Sequence, residues 1–256
     1  MENPILQVKD INVFYDTQHA VDNVSFQIVQ GEIFGLLGPN GAGKTSTLSV
    51  IEGLLKPTSG TVEVMGHNIH ENPSQAKANI GVQLQSTSFQ PELTINEIIM
   101  LYGGLYGVEI KKSKINELLK EIGITEKASK RFGQLSGGQQ QRVSLLIATI
   151  HNPELVLLDE PTTGLDPQSR RHLWDRMELL KKNNHSILLT THSMEEAEAV
   201  CDRIAIIDDG KILTINTPEK LIEEYKDDPR VVKVSRGSRV TLEDVFIGLT
   251  GREIRN

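Results

Sequence analysis

Two kinds of apolar pattern run along the chain, and they predict two kinds of strand. In the first, apolar and polar residues alternate: Leu6 and Val8, then Ile11, Val13 and Tyr15, then Val24, Phe26 and Ile28, and later Val62 and Val64. Period-two alternation gives strands with one covered face, most easily assembled as an antiparallel sheet. Gly31, the stretch 57–60 and Gly66 punctuate these runs as turns. In the second kind the apolar run is unbroken, from Ile33 to Leu37, Leu155 to Leu158, Ile187 to Leu189 and Ile204 to Ile207. Such runs suit central parallel strands buried on both faces.

Helical periodicity lies between the unbroken runs, over Lys44–Leu55, Arg142–Ile150, Ser169–Lys182 and Met194–Asp202. Strand and helix in alternation predict an α/β core with crossover connections. Between residues 85 and 150 the strand signal disappears. Ile95, Ile98 and Ile99 form one apolar helical face, and Ile115, Leu118, Leu119 and Ile122 another, which reads as a helical insertion into the core. After Lys211 the pattern predicts a helix at Pro218–Tyr225, a short strand at Val231–Val234 and a last helix from Leu242.

Composition narrows this picture. With 256 residues, 38 % of them apolar, the chain can bury a sizeable core and is too apolar for a disordered one. Its 27 basic residues against 34 acidic ones leave a formal charge of −7, which argues against broad nucleic-acid binding. A single cysteine, Cys201, excludes an internal disulfide framework and fits a reducing compartment. Neither a basic head followed by an apolar block nor a run of ~18 apolar residues occurs, so the chain is not expected to cross a membrane by itself.

The first candidate chemistry is the run Gly38, Pro39, Asn40, Gly41, Ala42, Gly43, Lys44 and Thr45, a full match to the P-loop pattern between a strand and a helix. Its glycines let successive backbone N–H groups converge on phosphate, and the helix N-terminus adds partial positive charge. Lys44 is placed to reach the β- and γ-phosphates and Thr45 to bind Mg²⁺. The second is the apolar strand Leu155 to Leu158 ending in Asp159 and Glu160. Ligands bind at the C-terminal ends of parallel strands, which suits Asp159 to Mg²⁺ and Glu160 to the role of general base toward an attacking water. A third is Leu135-Ser136-Gly137-Gly138-Gln139, where Ser136 is a good N-cap and two glycines leave backbone donors uncovered. That is a second anion site, and one domain needs only one P-loop for its own ATP.

With the P-loop before the third motif and Asp159 and Glu160 after it, the three resemble those of ATP-binding cassette (ABC) ATPases, over residues 5 to 215. The resemblance implies an α/β P-loop NTPase core with a mixed central sheet, an N-terminal antiparallel β-subdomain and an inserted helical signature subdomain. It divides one ABC ATPase domain, 1–256, into a catalytic core at 1–85 and 151–215, a helical part at 86–150 and a C-terminal extension at 216–256. It implies that Tyr15 stacks on adenine, that residues 38–46 through Ser46 hold the nucleotide, and that Gln85 joins Thr45 and Asp159 at the metal, with Gln83 a nearby competitor. His192 matches the switch histidine, which with Glu160 and Lys44 would act in catalysis. Ser136, Gly137, Gly138 and Gln139, with Asp166 in Gly164-Leu165-Asp166, would act in trans on the ATP of a second subunit, homomeric or not.

The tail from Thr241 to Gly251 looks like that of cassettes serving ABC-2-type exporters, including drug and antibiotic resistance pumps. The implied protein is a cytoplasmic, membrane-peripheral ATPase using ATP and Mg²⁺, docked on a separate permease near residues 85–97, with no nucleic-acid partner. The competing reading is a cassette ATPase acting on ribosomes or nucleic acid. Elsewhere the readings are structural: Glu195, Glu196 and Glu198 form a solvated helix face, Trp174, Met177 and Leu180 are core, and Cys201 is a small buried hydrophobe.

Overall fold

The computed structural model describes residues 4–84, 89–235, 237 and 239–251. The alternating segments form β1 (Leu6–Tyr15) and β2 (Gln18–Ile28), and the first unbroken run forms β3 (Ile33–Leu37), whose five residues are all buried. A helix, α1 (Lys44–Ile51), follows, then β4 (Ser59–Val64), the two-residue β5 (His67–Asn68), the short α2 (Pro73–Lys77) and β6 (Ile80–Gln83). Three helices come next: α3 (Ile95–Leu105), α4 (Lys112–Glu121) and α5 (Gly137–Ala148). The chain then runs through β7 (Leu155–Asp159), α6 (Pro167–Lys182), β8 (Ser186–Thr191), α7 (Met194–Val200), β9 (Arg203–Asp208) and β10 (Lys211–Asn216).

Two sheets result. One is antiparallel in the order β2-β1-β4-β5, and the other runs β10-β9-β3-β8-β7-β6. The second sheet is parallel except for β10, which returns antiparallel along β9, so it is mixed as expected. The covered faces of β1, β2 and β4 pack with Phe34, Leu36, Leu157 and Leu188 of the central strands. The opposite face of the central sheet is covered by Leu173, Met177 and Leu180 of α6 and by Ala197 and Val200 of α7. Ile95, Ile98, Ile99, Ile115, Leu119, Val143 and Ile147 make a third apolar cluster among α3, α4 and α5. Among the described residues, no helix is long and apolar enough to cross a membrane.

The C-terminal segment departs from expectation. After α8 (Pro218–Tyr225), residues Pro229–Val234 form a helix, α9, and not a strand. Asp228 caps it by accepting from the Arg230 N–H at 2.8 Å, and Pro229 occupies the first turn. Val231 is fully buried under α10 (Leu242–Thr250), so close that a Cβ on Gly248 would come 2.6 Å from its methyl. The acidic cluster on α7 also departs from a uniformly solvated face: Glu195 and Glu198 are exposed, but Glu196 is completely buried. It faces inward because the indole N–H of Trp174 on α6 meets its carboxyl at 3.2 Å.

Glu52, directly after α1, is a second buried carboxyl, and its Oε1 has no hydrogen-bond partner among the described residues. Burial raises its pKa to about 7, with the charge of Asp159 adding to the rise and Lys77 opposing it. The unfolded chain therefore loses this proton near pH 4.5 while the folded chain keeps it to about pH 7. The group costs stability that grows across that window and is constant above it. Glu52→Gln is expected to stabilise the fold by about 3 kcal/mol at pH 8 and by almost nothing at pH 4. Denaturant unfolding at the two pH values reads this, and equal effects at both would contradict it.

Candidate active site

The phosphate loop begins where β3 ends. The Gly38 N–H donates to the Thr191 carbonyl at 3.2 Å, which joins the loop to the end of the neighbouring β8. Gly43 has φ of +100° and lies so close to β2 that a Cβ would come 2.5 Å from the Ala20 carbonyl oxygen. Only glycine suits that backbone and that approach. The turn carries the chain directly into α1, whose first residue is Lys44. The Lys44 ammonium donates to the Gly38 carbonyl at 2.8 Å and the Pro39 carbonyl at 3.1 Å, and pairs with Glu160 Oε1 at 3.3 Å. Burial lowers its pKa, and the charges of Glu160 and Asp159 oppose the fall. Thr45 is exposed beside it, and the Tyr15 hydroxyl lies 3.4 Å from Ser46 Oγ, which brings the β1–β2 turn to the loop.

Asp159 and Glu160 stand at the C-terminal end of β7, both buried. Thr190 on the adjacent β8 braces both: its hydroxyl donates to Asp159 Oδ1 at 2.6 Å, and it accepts the Glu160 N–H at 3.0 Å. Glu160 has φ of +45°, so the chain turns sharply there and the side chain swings toward Lys44. On the other side of the carboxylate, Thr163 Oγ1 donates to Oε2 at 3.2 Å, and His192 Nδ1 lies 3.2 Å from the same oxygen. Burial pushes the Glu160 carboxyl up, but Lys44 and His192 together outweigh it and hold the group below the usual carboxylate range. It is therefore ionised at neutral pH and set to accept a proton.

A second group forms around the start of α5. Ser136 precedes that helix, and its N–H donates to Gln139 Oε1 at 3.2 Å. Gly138 lies against Ser169 of α6, where a Cβ would come 2.2 Å from Oγ. Ser169 Oγ donates in turn to Asp166 Oδ2 at 2.6 Å, and Asp166 caps α6 by accepting from the Gln168 and Ser169 N–H groups. The signature residues and Asp166 are thus joined within one chain, while Gly137 faces open space. Gln85 lies outside the described residues. Gln83 is buried at the end of β6, and its amide donates to Gln141 of α5, linking the central sheet to the signature helix.

Sequence reasoning passed over Thr190 and Thr163. Thr190 and Thr191 end a strand whose previous three residues are all apolar, a visible sign that the strand tip is chemical. Thr163 carries no local signal, because its value comes only from proximity to Glu160.

Residues 21–163, more than half of the chain, match the ABC transporter family. The chain belongs to the ABC transporter family, as an ATP-binding subunit. This ATP-binding subunit is 40 % identical over 227 residues to the linearmycin resistance ATP-binding protein of Bacillus subtilis (strain 168), covering 88 % of the chain and 73 % of the relative. It is 33 % identical to the Nod factor export ATP-binding protein I of Burkholderia thailandensis, over 94 % of the chain and 95 % of that protein. Among solved structures it superposes on the ATP-binding subunit of an ABC transporter with a TM-score of 0.83 at 28 % identity, covering 96 % of the chain and 99 % of the other. An ATP-binding cassette of an ABC transporter in its ADP conformation follows at a TM-score of 0.78 and 25 % identity.

Proposed function

We propose that this subunit hydrolyses ATP to ADP and phosphate and that the reaction drives export through a separate membrane protein. The observation that carries the reading is the position of Glu160, an ionised carboxylate 3.3 Å from Lys44 and 3.2 Å from His192 at the mouth of the phosphate loop. Glu160 accepts a proton from water as the water oxygen bonds to the γ-phosphorus and the bond to the ADP oxygen breaks. Lys44 stabilises charge on the β- and γ-oxygens, His192 bonds the γ-phosphate, and Tyr15 stacks on the adenine.

The donor set at the strand tip suits Mg²⁺: a buried carboxylate and an exposed hydroxyl at the loop are hard oxygen ligands. Thr45, Asp159 and Gln85 would hold it, and the ion would supply neutralisation of phosphate charge. We assign residues 1–85 and 151–215 to the catalytic core, 86–150 to a helical subdomain and 216–256 to an extension.

Two copies close head to tail on two ATP molecules, with Ser136, Gly137, Gly138, Gln139 and Asp166 of one facing the phosphates of the other. The open side of Gly137 supports that use, since nothing in its own chain lies within 4 Å of where a Cβ would stand. The relatives named for export and for resistance support an ABC-2-type permease as partner, which would keep this subunit on the inner face of the membrane.

A pull-down from mild-detergent membranes, with the Glu160→Gln variant as bait and ATP present, tests the assignment. Recovery of a multi-span membrane protein is expected. Recovery of ribosomes or nucleic acid in its place would leave the nucleotide chemistry standing and remove the export reading.

A further inference from the structure

Gly137 and Gly138 are adjacent, and they differ in what surrounds them. Gly137 is exposed, with nothing in its own chain within 4 Å of where a Cβ would stand. Gly138 is buried and turns its Cβ direction toward Ser169, in the first turn of α6. An added Cβ would come 2.2 Å from Ser169 Oγ and 2.6 Å from Ser169 Cβ. Rotating the hydroxyl away would leave the second collision standing.

The hydroxyl is also already engaged. It donates to Asp166 Oδ2 at 2.6 Å, while Asp166 Oδ1 accepts the Gln168 and Ser169 N–H groups at 3.0 Å each. Gly138 is held in turn by Arg142, whose Nε donates to the Gly138 carbonyl at 3.3 Å. The same guanidinium donates through Nη1 to the Ile122 carbonyl at 2.8 Å, so it too is fixed. Close-packed groups with no slack transmit a displacement and do not absorb it.

We propose that Ser169 is a positioning residue for the ATP sandwich. Its Cβ seats the Gly138 backbone and its hydroxyl fixes the Asp166 carboxylate. The signature turn and the turn at Asp166 then meet the second subunit as one preorganised surface. In this role Ser169 touches no nucleotide. The inference rests on the reading of residues 136–139 and Asp166 as groups that act in trans.

The test is ATP-driven dimerisation of the full chain in the Glu160→Gln background, read by light scattering over a dilution series. ADP affinity and a thermal melt are measured beside it. Ser169→Ala keeps the Cβ and loses the bond to Asp166. It is expected to weaken the dimer roughly threefold to tenfold at each of two sites, the worth of one hydrogen bond, with Kd for ADP within about twofold. A merely structural role in starting α6 would lower the melting temperature and leave dimer strength unchanged.

Gly138→Ala should weaken the dimer further, because the signature turn must shift. Ser169→Gly removes both colliding atoms, so Gly138→Ala combined with Ser169→Gly should dimerise about as well as Ser169→Gly alone. Additive losses in that cycle, or a Ser169→Ala variant that dimerises like its parent, overturn the proposal. If Gly138→Ala does not fold, Ser169→Ala decides by itself. A Glu160→Gln parent that stays monomeric at saturating ATP removes the sandwich reading and this proposal with it. A parent that dimerises beside an indifferent Ser169→Ala refutes the proposal alone.

Discussion

Replacing Glu160 by Gln is expected to slow ATP hydrolysis by roughly two to four orders of magnitude, the usual contribution of a positioned general base. The substitution keeps the side chain's size and its bond from Thr163, so the turn after β7 stays folded. It removes the negative charge facing Lys44 at 3.3 Å, which frees that ammonium from competition between Glu160 and the nucleotide phosphates. ATP affinity should therefore hold or increase while turnover collapses. The ATP-bound variant should accumulate as a dimer, seen by light scattering after size exclusion. Near-normal phosphate release from this variant would transfer the base to another group.

Lys44→Ala is expected to act on the other half of the chemistry. Each charge-assisted hydrogen bond is worth about 1.5–3 kcal/mol, so losing the ammonium should weaken ATP binding by about tenfold to more than a hundredfold. It also withdraws the main cation from a buried carboxylate. The loss of stability should stay below the roughly 3–5 kcal/mol of a fully orphaned charge, because His192 and Thr163 remain on Oε2. Calorimetric titration with ATP and a thermal melt separate the two effects. Unchanged affinity would contradict the phosphate-loop role outright.

Much of this architecture is written locally. The unbroken runs at Ile33–Leu37 and Leu155–Leu158 became members of one buried sheet, on either side of β8, because a doubly covered strand suits them best. The phosphate loop is legible for a similar reason: glycines, lysine and threonine act within eight consecutive residues. The failures are those of distance. Glu196 looks like its neighbours Glu195 and Glu198, and only Trp174, 22 positions away, makes it an interior residue. Thr190 bonds Asp159 across 31 positions of sequence. Val231–Val234 has the composition of a strand, and the Asp228-Pro229 start signal that makes it a helix was outweighed by its valines. The signature helix begins at Gly137, five residues before its apolar periodicity becomes visible, because its first turn carries only Gly and Gln.

Eight non-glycine residues among those described have positive φ, and six of them are Asp or Asn, the side chains that tolerate this conformation best. Glu160 is not of that kind, and its backbone is held there by Thr190 at a strain of about 1–3 kcal/mol. Stability alone would favour Gly, Asn or Asp at this position, and hydrolysis alone favours Glu. The two pressures act in opposite directions on a single codon. On the role proposed for Glu160, a lineage that ceased to need turnover would lose this glutamate early while keeping the rest of the fold, and the identity of residue 160 would record whether the subunit is still at work.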